Sequence, residues 1–459
     1  MNRPKTGLLY IPGGQMRNAR TVKIGLLMAL GMMLIPLLSQ SVSATDGTAS
    51  MLNQGDTAWL LISTALVFVM TPAVAFFYGG MLRKESFLSM LGQSVIIIGM
   101  VTLIWVLFGY SLAFSGYKSD LIGNFDFALL YNVGGLPDIN YASTIPSILF
   151  CMYQLMFAII TVALIIGGIA ERMKLKAMVF FLGIWTCLVY LPVAHWIWGG
   201  GWLAKLGALD FAGGAVVHIT AGVSVLAASI VLGKRLSVLN GNGDHPHNIP
   251  MVVLGGGLLW MGWFGFNGGS ALGSGQLAAQ AFANTHIAGA MAAITWGLVS
   301  WLHLGRPSVL GLISGGVAGL AAVTPAAGYV DTRGAIIIGL AAGILCYCGI
   351  LVRKRFKFDD ALDVWGVHGI AGTMGMISVG LFATSTINPN AVVHNGLFYG
   401  GGFTLLTAQL IAVVVVWIFA FGITYVMLKV LSRFTPIRMT KEEERVGADI
   451  IQHGETAYS

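Results

Sequence analysis

Long apolar stretches, separated by short polar or glycine-rich breaks, fill most of this chain. Runs of about 17–25 apolar residues are long enough to cross a bilayer as helices. Eleven such runs are expected behind an apolar leader, at 57–82, 88–115, 146–169, 177–193, 211–233, 250–266, 277–302, 308–325, 334–352, 363–382 and 399–431. The fourth, sixth and eighth are short, and the last is long enough to tilt or protrude. Within this pattern one phrase occurs twice. Val217-His218-Ile219-Thr220-Ala221-Gly222 and Val367-His368-Gly369-Ile370-Ala371-Gly372 share V-H-x-x-A-G, in helices five and ten. A histidine inside a membrane segment is expensive and usually faces a cavity or pathway. Five helices per half is odd, so the halves must lie in opposite orientation. The pattern therefore predicts an all-α polytopic membrane protein, an inverted 5+5 helix repeat plus a long C-terminal helix, with one histidine from each half meeting near the midplane.

Composition sharpens this picture. Only 9% of residues are charged and the mean hydropathy is +0.82, which excludes a soluble globular domain. The net charge of +7 is not a nucleic-acid signature, because of how it is distributed. Of the 25 lysines and arginines, 17 fall in one alternating set of loops and the tail, near 83, 172–176, 234, 306, 353–357 and beyond 429. The opposite set holds only Lys118, Lys205 and Arg333. The positive-inside rule puts the rich side, with the C-terminus, in the cytoplasm and the mature N-terminus outside, in the periplasm of an inner-membrane protein. Residues 24–38 form an apolar run behind Lys23, followed by Val42-Ser43-Ala44, which predicts a signal peptide over 1–44 cleaved after Ala44. The stretch before Met16 is long for such a leader, so translation is expected to start at Met16. A membrane domain over 45–432 and a cytoplasmic tail over 433–459 follow. Cys151, Cys187, Cys346 and Cys348 lie in or beside apolar runs and read as packing residues.

Few side chains could carry chemistry. His218 and His368 could share a proton through facing nitrogens, giving one donor and one acceptor in a dry channel. Such a pair suits water, ammonia or ammonium better than a bare alkali cation. Asp210 and Asp363 open helices five and ten, where each carboxylate can cap helix N–H groups or act as a fixed negative charge near a pore mouth. Trp196 and Trp198 lie on the outer side, Phe157 lies in Tyr153-Gln154-Leu155-Met156-Phe157, and Phe266 and Ser270 belong to the phrase that closes helix six at its outer end. Singly they fit an aromatic belt or a packed core; together they could hold a cation on aromatic faces beside a hydroxyl. His245-Pro246-His247 lacks further ligands at metal-site spacing and reads as loop, so no metal or cofactor is expected.

These phrases together resemble the ammonium transporter family (Amt/MEP/Rh), in its bacterial Amt branch. The likeness is carried by Leu209-Asp210-Phe211-Ala212-Gly213-Gly214 running on to His218, by Gly262-Trp263-Phe264-Gly265-Phe266-Asn267, by Thr324-Pro325-Ala326, and by Asp359-Asp360 running on to His368-Gly369. It covers essentially all of residues 55–459. The resemblance implies a homotrimer with one pore per subunit in a lipid bilayer. It implies an outer ammonium-recruiting site at Trp198, Phe157 and Ser270, stacked pore rings at Phe157 and Phe266, twin lumen histidines at His218 and His368, and an acidic residue needed for transport at Asp210. Ammonium would lose its proton at the mouth and cross as ammonia, with the proton lost or relayed separately along the histidines. The tail matches too, which implies block by a PII-type nitrogen regulator. Val446 and Ala448 stand where the family phrase has a glutamate and a leucine, removing a charge and some apolar contact.

The expected activity is thus transport rather than catalysis, serving nitrogen acquisition. An ammonium sensor on the same fold is the alternative; such proteins usually append a cytoplasmic signalling domain, for which roughly thirty residues after helix eleven are too few. A redox protein with His218 and His368 as axial haem ligands is a third reading, decided by visible absorbance.

Overall fold

The computed structural model describes residues 51–116, 119–241 and 246–458. The leader over 1–44, the start at Met16 and His245 lie outside them. Eleven apolar helices follow in order among the described residues. They are α1 (Gln54–Met81), α2 (Lys84–Phe114), α3 (Ser147–Ile169), α4 (Leu175–Lys205), α5 (Gly214–Leu232), α6 (Ile249–Gly269), α7 (Gln276–Leu304), α8 (Val309–Val323), α9 (Thr332–Phe356), α10 (Trp365–Phe382) and α11 (Thr404–Phe434). No β-strand occurs among the described residues; the only sheet-like pairings are the isolated bridges Asp138–Ala142 and Met173–Arg438.

Two expected lengths change. The fourth helix is not short, because Leu175 to Ile197 is continuously helical through a π-turn at Thr186–Tyr190. The sixth continues through Asn267 to Gly269, since a membrane helix keeps its backbone bonds internal even across glycine. Only the eighth stays short, at 15 residues. That is about 22 Å of helix, less than the hydrocarbon core. Pro325 stops it, and the Pro325 carbonyl accepts from Phe211 N at 3.1 Å, just before α5.

The two histidine helices share a local structure. α5 begins with a π-turn at Gly214–Ile219 and α10 with one at Trp365–Gly369. A π-turn adds a residue to one helical turn and often marks a functional site. Here each carries its histidine inward: His218 is 1% exposed and His368 3%.

Glycine explains why these helices can meet. A Cβ on Gly222 would run into Gly369 N and Cα, and one on Gly372 would sit 2.6 Å from Gly214 O and 3.1 Å from Ile219 N. Gly222 and Gly372 are the final residues of the two V-H-x-x-A-G phrases. Each faces the residue right after the other helix's histidine, so the contact is reciprocal, as a two-fold between inverted halves requires.

The tail folds back as α12 (Lys441–Val446) and α13 (Ala448–His453). α12 opens on a capping box between Thr440 and Glu443. The Asp449 carboxylate accepts from Leu88 N at 3.0 Å and Ser89 N at 2.6 Å, in the first turns of α2. The side of the bundle carrying this tail is the tail face below; the side carrying the 199–213 and 386–391 loops is the far face.

Candidate functional site

Asp210 organises the far end of the site. It is 4% exposed, and its carboxylate accepts from the N–H groups of Gly213 (2.8 Å), Gly214 (2.6 Å), Ala215 (2.8 Å) and Val216 (3.2 Å). These are the unpaired donors of the first turn of α5, so the capping role holds in full. Gly213, with φ 122, makes the bend that brings them round. The Asp210 carbonyl accepts from Trp198 Nε1 at 2.8 Å, fixing that indole beside the cap.

The matching cap at Asp363 is not made. Asp363 adopts φ 57 and its Oδ1 pairs with Arg353 Nε at 2.5 Å. Asp360 caps instead, its Oδ2 accepting from Trp365 N at 2.7 Å. With Asp363 in the left-handed region, α10 starts two residues later, and Asp360 is the carboxylate that reaches its first N–H. The Asp359-Asp360 pair before the apolar run was the available signal.

Trp198, Phe157 and Ser270 do converge. All three line a far-face cavity of ≈ 480 Å³ that also includes Gln154, Asp210 and Tyr329. The Phe157 ring meets Trp198 edge-on at 5.6 Å and 89°, and Tyr153 at 5.0 Å. Tyr153 was not expected at the site. Its hydroxyl lies 2.9 Å from both the Gly265 and Phe266 carbonyls and 3.3 Å from Ser270 Oγ. It thereby ties α3 to the end of α6.

Phe157 and Phe266 close the floor of this cavity. Their ring centroids are 4.3 Å apart, and both side chains are 1% exposed. Beyond them is a small apolar cavity of ≈ 10 Å³, lined by Phe266, Trp263, Leu259, Val317, His218 and His368. That is about the room one water centre needs. His218 Nδ1 and His368 Nδ1 face each other at 3.3 Å, with centroids 5.2 Å apart and planes within 18°. One nitrogen must donate and the other accept. Trp263, unremarked as a site residue beforehand, stacks on His218 at 5.6 Å and 25°, and its Nε1 donates to Thr324 Oγ1 at 2.9 Å. His368 also lines a third cavity of ≈ 250 Å³ that opens toward the tail face past Asp363 and Arg353. A wide mouth, an aromatic plug, a dry histidine pair and an exit thus follow one another through the bundle.

Sequence and structural relatives point to one family. The profile of the Ammonium Transporter Family matches residues 58–458. The chain belongs to that family. It is 47% identical over 408 residues to an ammonium transporter of Bacillus subtilis, covering 89% of this chain and 99% of the relative. The crystal structure of Mep2 from Candida albicans superposes with a TM-score of 0.81 at 37% identity, covering 89% of this chain and 91% of Mep2. A structure described as a sensor Amt protein superposes with a TM-score of 0.79 at 27% identity, covering 87% and 98%. Family membership makes the chain a transporter-type membrane protein and not an enzyme. Among the described residues no group of three or more histidine, cysteine, aspartate or glutamate side chains could hold a metal ion.

The tail face carries a buried ion cluster that sequence reading did not assemble. Arg172 Nη1 reaches Asp359 Oδ2 at 3.0 Å, Arg235 Nη2 reaches Asp359 Oδ1 at 3.0 Å, and Arg235 Nη1 reaches Glu171 Oε2 at 2.8 Å. Burial would raise the carboxyls of Glu171 and Asp359, but the arginines around each hold them below the ordinary range. Arg83 fastens the tail to this cluster, its Nε reaching Glu171 Oε1 at 3.2 Å and its Nη2 donating to the Glu444 carbonyl at 2.7 Å, while the Glu444 carboxylate pairs with Arg438 at 2.6 Å and accepts from Leu236 N at 2.9 Å.

Proposed function

We propose that the chain is an ammonium transporter of the inner membrane, with its tail in the cytoplasm, which recruits ammonium at Trp198, Phe157 and Ser270. The ion gives up its proton at that mouth, and ammonia passes Phe157 and Phe266 to the histidine pair. The proton is lost or relayed separately along His218 and His368. The observation carrying this reading is the tiny apolar space between the Phe157–Phe266 stack and the two histidines. Moving an intact ion into such a space costs roughly tens of kcal/mol on an idealised Born basis. A neutral molecule of the size of water fits without that penalty. Potassium has no proton to shed and is rejected.

The family resemblance implies a homotrimer with one pore per subunit. It implies a PII-type partner less directly, because Val446 is half-exposed where the family carries a charge, and Ala448 is small at a buried position.

The test is ammonium-evoked current on proteoliposomes, with potassium as control. The parent should give a saturable, ammonium-selective current that His218→Ala combined with His368→Ala abolishes. Ammonia flux without current would mean passive conduction of the neutral gas. Silence in both assays would favour the sensor reading, which the likeness to the sensor Amt structure motivates.

A further inference from the structure

Among the fully buried side-chain oxygens of the residues lining the far-face cavity, one has no hydrogen-bond partner. Every oxygen of Asp210 is taken, the carboxylate by four N–H groups and the carbonyl by Trp198 Nε1. Ser270 Oγ donates to the Phe266 carbonyl at 2.8 Å and faces the Tyr153 hydroxyl, which leaves it one lone pair for a ligand. Asn388 Oδ1 accepts from Ala391 N at 3.2 Å. Gln154 differs. It is 9% exposed, lies on α3 one turn from Phe157 toward the far face, and lines the same cavity. Its Oε1 is buried and has no hydrogen-bond partner, alone in this among the described residues lining that cavity.

A buried carbonyl oxygen without a donor is costly, and that cost is removed when a donor arrives. The terminal amide torsion of glutamine is broad, so the group can turn its oxygen toward the cavity without leaving a favoured rotamer. Ammonium brings four N–H donors. The aromatic faces of Trp198 and Phe157 attract its charge but give no directional acceptor, and Ser270 offers one.

We infer that Gln154 is a further ligand of the recruited cation, its Oε1 accepting an N–H from ammonium opposite Ser270. This inference rests on the transport reading and deepens it. Gln154 would set how well the site distinguishes ammonium from cations with fewer N–H donors. Loss of the acceptor weakens binding at the mouth, while the Phe157–Phe266 stack and the histidine pair keep their geometry.

Two measurements on the full-length protein test this: ammonium-evoked current on proteoliposomes, and thermal stabilisation of purified protein by ammonium chloride relative to potassium chloride. Gln154→Leu should raise the half-saturating ammonium concentration about tenfold, the scale of one hydrogen bond to a charged donor. Its maximal current should stay within about twofold of the parent. Methylammonium, with one N–H fewer, should be affected less, so the two cations become harder to tell apart. Gln154→Glu keeps an acceptor and adds charge, and should bind ammonium at least as tightly as the parent. An unchanged half-saturation in Gln154→Leu overturns the proposal. So does an equal rise in Gln154→Leu and Gln154→Glu, which would mark a packing role. If the parent carries no current yet ammonium stabilises it and not Gln154→Leu, the transport reading fails and the ligand assignment stands.

Discussion

Asp210 shows how much one side chain can do in this fold. Its two carboxylate oxygens serve four backbone N–H groups at the mouth of the pore. Asparagine in its place has a single oxygen, and its amide N–H₂ would point at two of those donors. Asp210→Asn should therefore destabilise the protein by about 2–3 kcal/mol, the cost of leaving buried donors unpaired. It should also slow transport, because Trp198 hangs from the Asp210 carbonyl. Thermal unfolding in detergent, run beside the current assay, checks both; an unaltered unfolding temperature would mean the cap is dispensable. At this scale the sequence was informative where a residue type is rare in its setting. A histidine in a membrane helix or an aspartate before one stands out, and both histidines and Asp210 lie where such logic puts them. Asp363 misled because three acidic residues lie within five positions, and only the backbone, turned to φ 57 at Asp363, decides which one caps. Gln154 and Tyr153 gave no signal, since their importance lies in partners contributed by other helices.

Between elements, the decisive contact is α5 against α10. The π-turns carrying His218 and His368 face each other only because Gly222 and Gly372 let the backbones close up. Gly372→Ala places a methyl about 2.6 Å from Gly214 O and 2.8 Å from His218 Cβ, closer than carbon atoms tolerate. Both neighbours are backbone or near-backbone atoms and cannot swing aside, so the helices must separate by several tenths of an ångström. The histidine nitrogens, already 3.3 Å apart, would then leave hydrogen-bond range. Gly372→Ala should sharply reduce ammonium-evoked current in protein that still folds and inserts. Gly422→Ala, at a glycine of α11 whose Cβ would meet open space, is the control and should transport normally. Helix order and the two-fold relation were readable from hydrophobic runs and the repeated phrase. The π-turns were not, because the insertion of one residue into a turn leaves no mark on an all-apolar helix.

Across the whole molecule, the tail face joins chain segments far apart in sequence through buried charge, and pH separates its parts. Glu171 and Asp359 have folded carboxyl values below their unfolded ones. Their contribution to stability is complete above the unfolded value near pH 4 and is lost only as pH falls through the lower, folded value. Between pH 5.5 and 8 they contribute a constant amount. Asp360 behaves oppositely. Burial first, and then the neighbouring charge of Asp363, push its carboxyl up to about 7, against the pull of the Trp365 N–H and Arg353. A raised folded value gives stability that is present at acid pH and lost as pH rises through about 7. Arg172 also faces this group, and it stays charged throughout that window. Relative to Asp360→Asn, which keeps an oxygen for the Trp365 N–H, the protein should therefore lose unfolding temperature between pH 5.5 and pH 8, while a variant outside the cluster such as Lys205→Gln should keep the parent's pH difference. A pH difference that survives Asp360→Asn unchanged would place the titrating group elsewhere. Because Asp360 adjoins Asp359 of the tail-anchoring cluster on one side and caps the helix of His368 on the other, a change in its charge reaches both the tail and the pore. The same variant is thus expected to flatten the pH dependence of transport measured from the tail face over that interval.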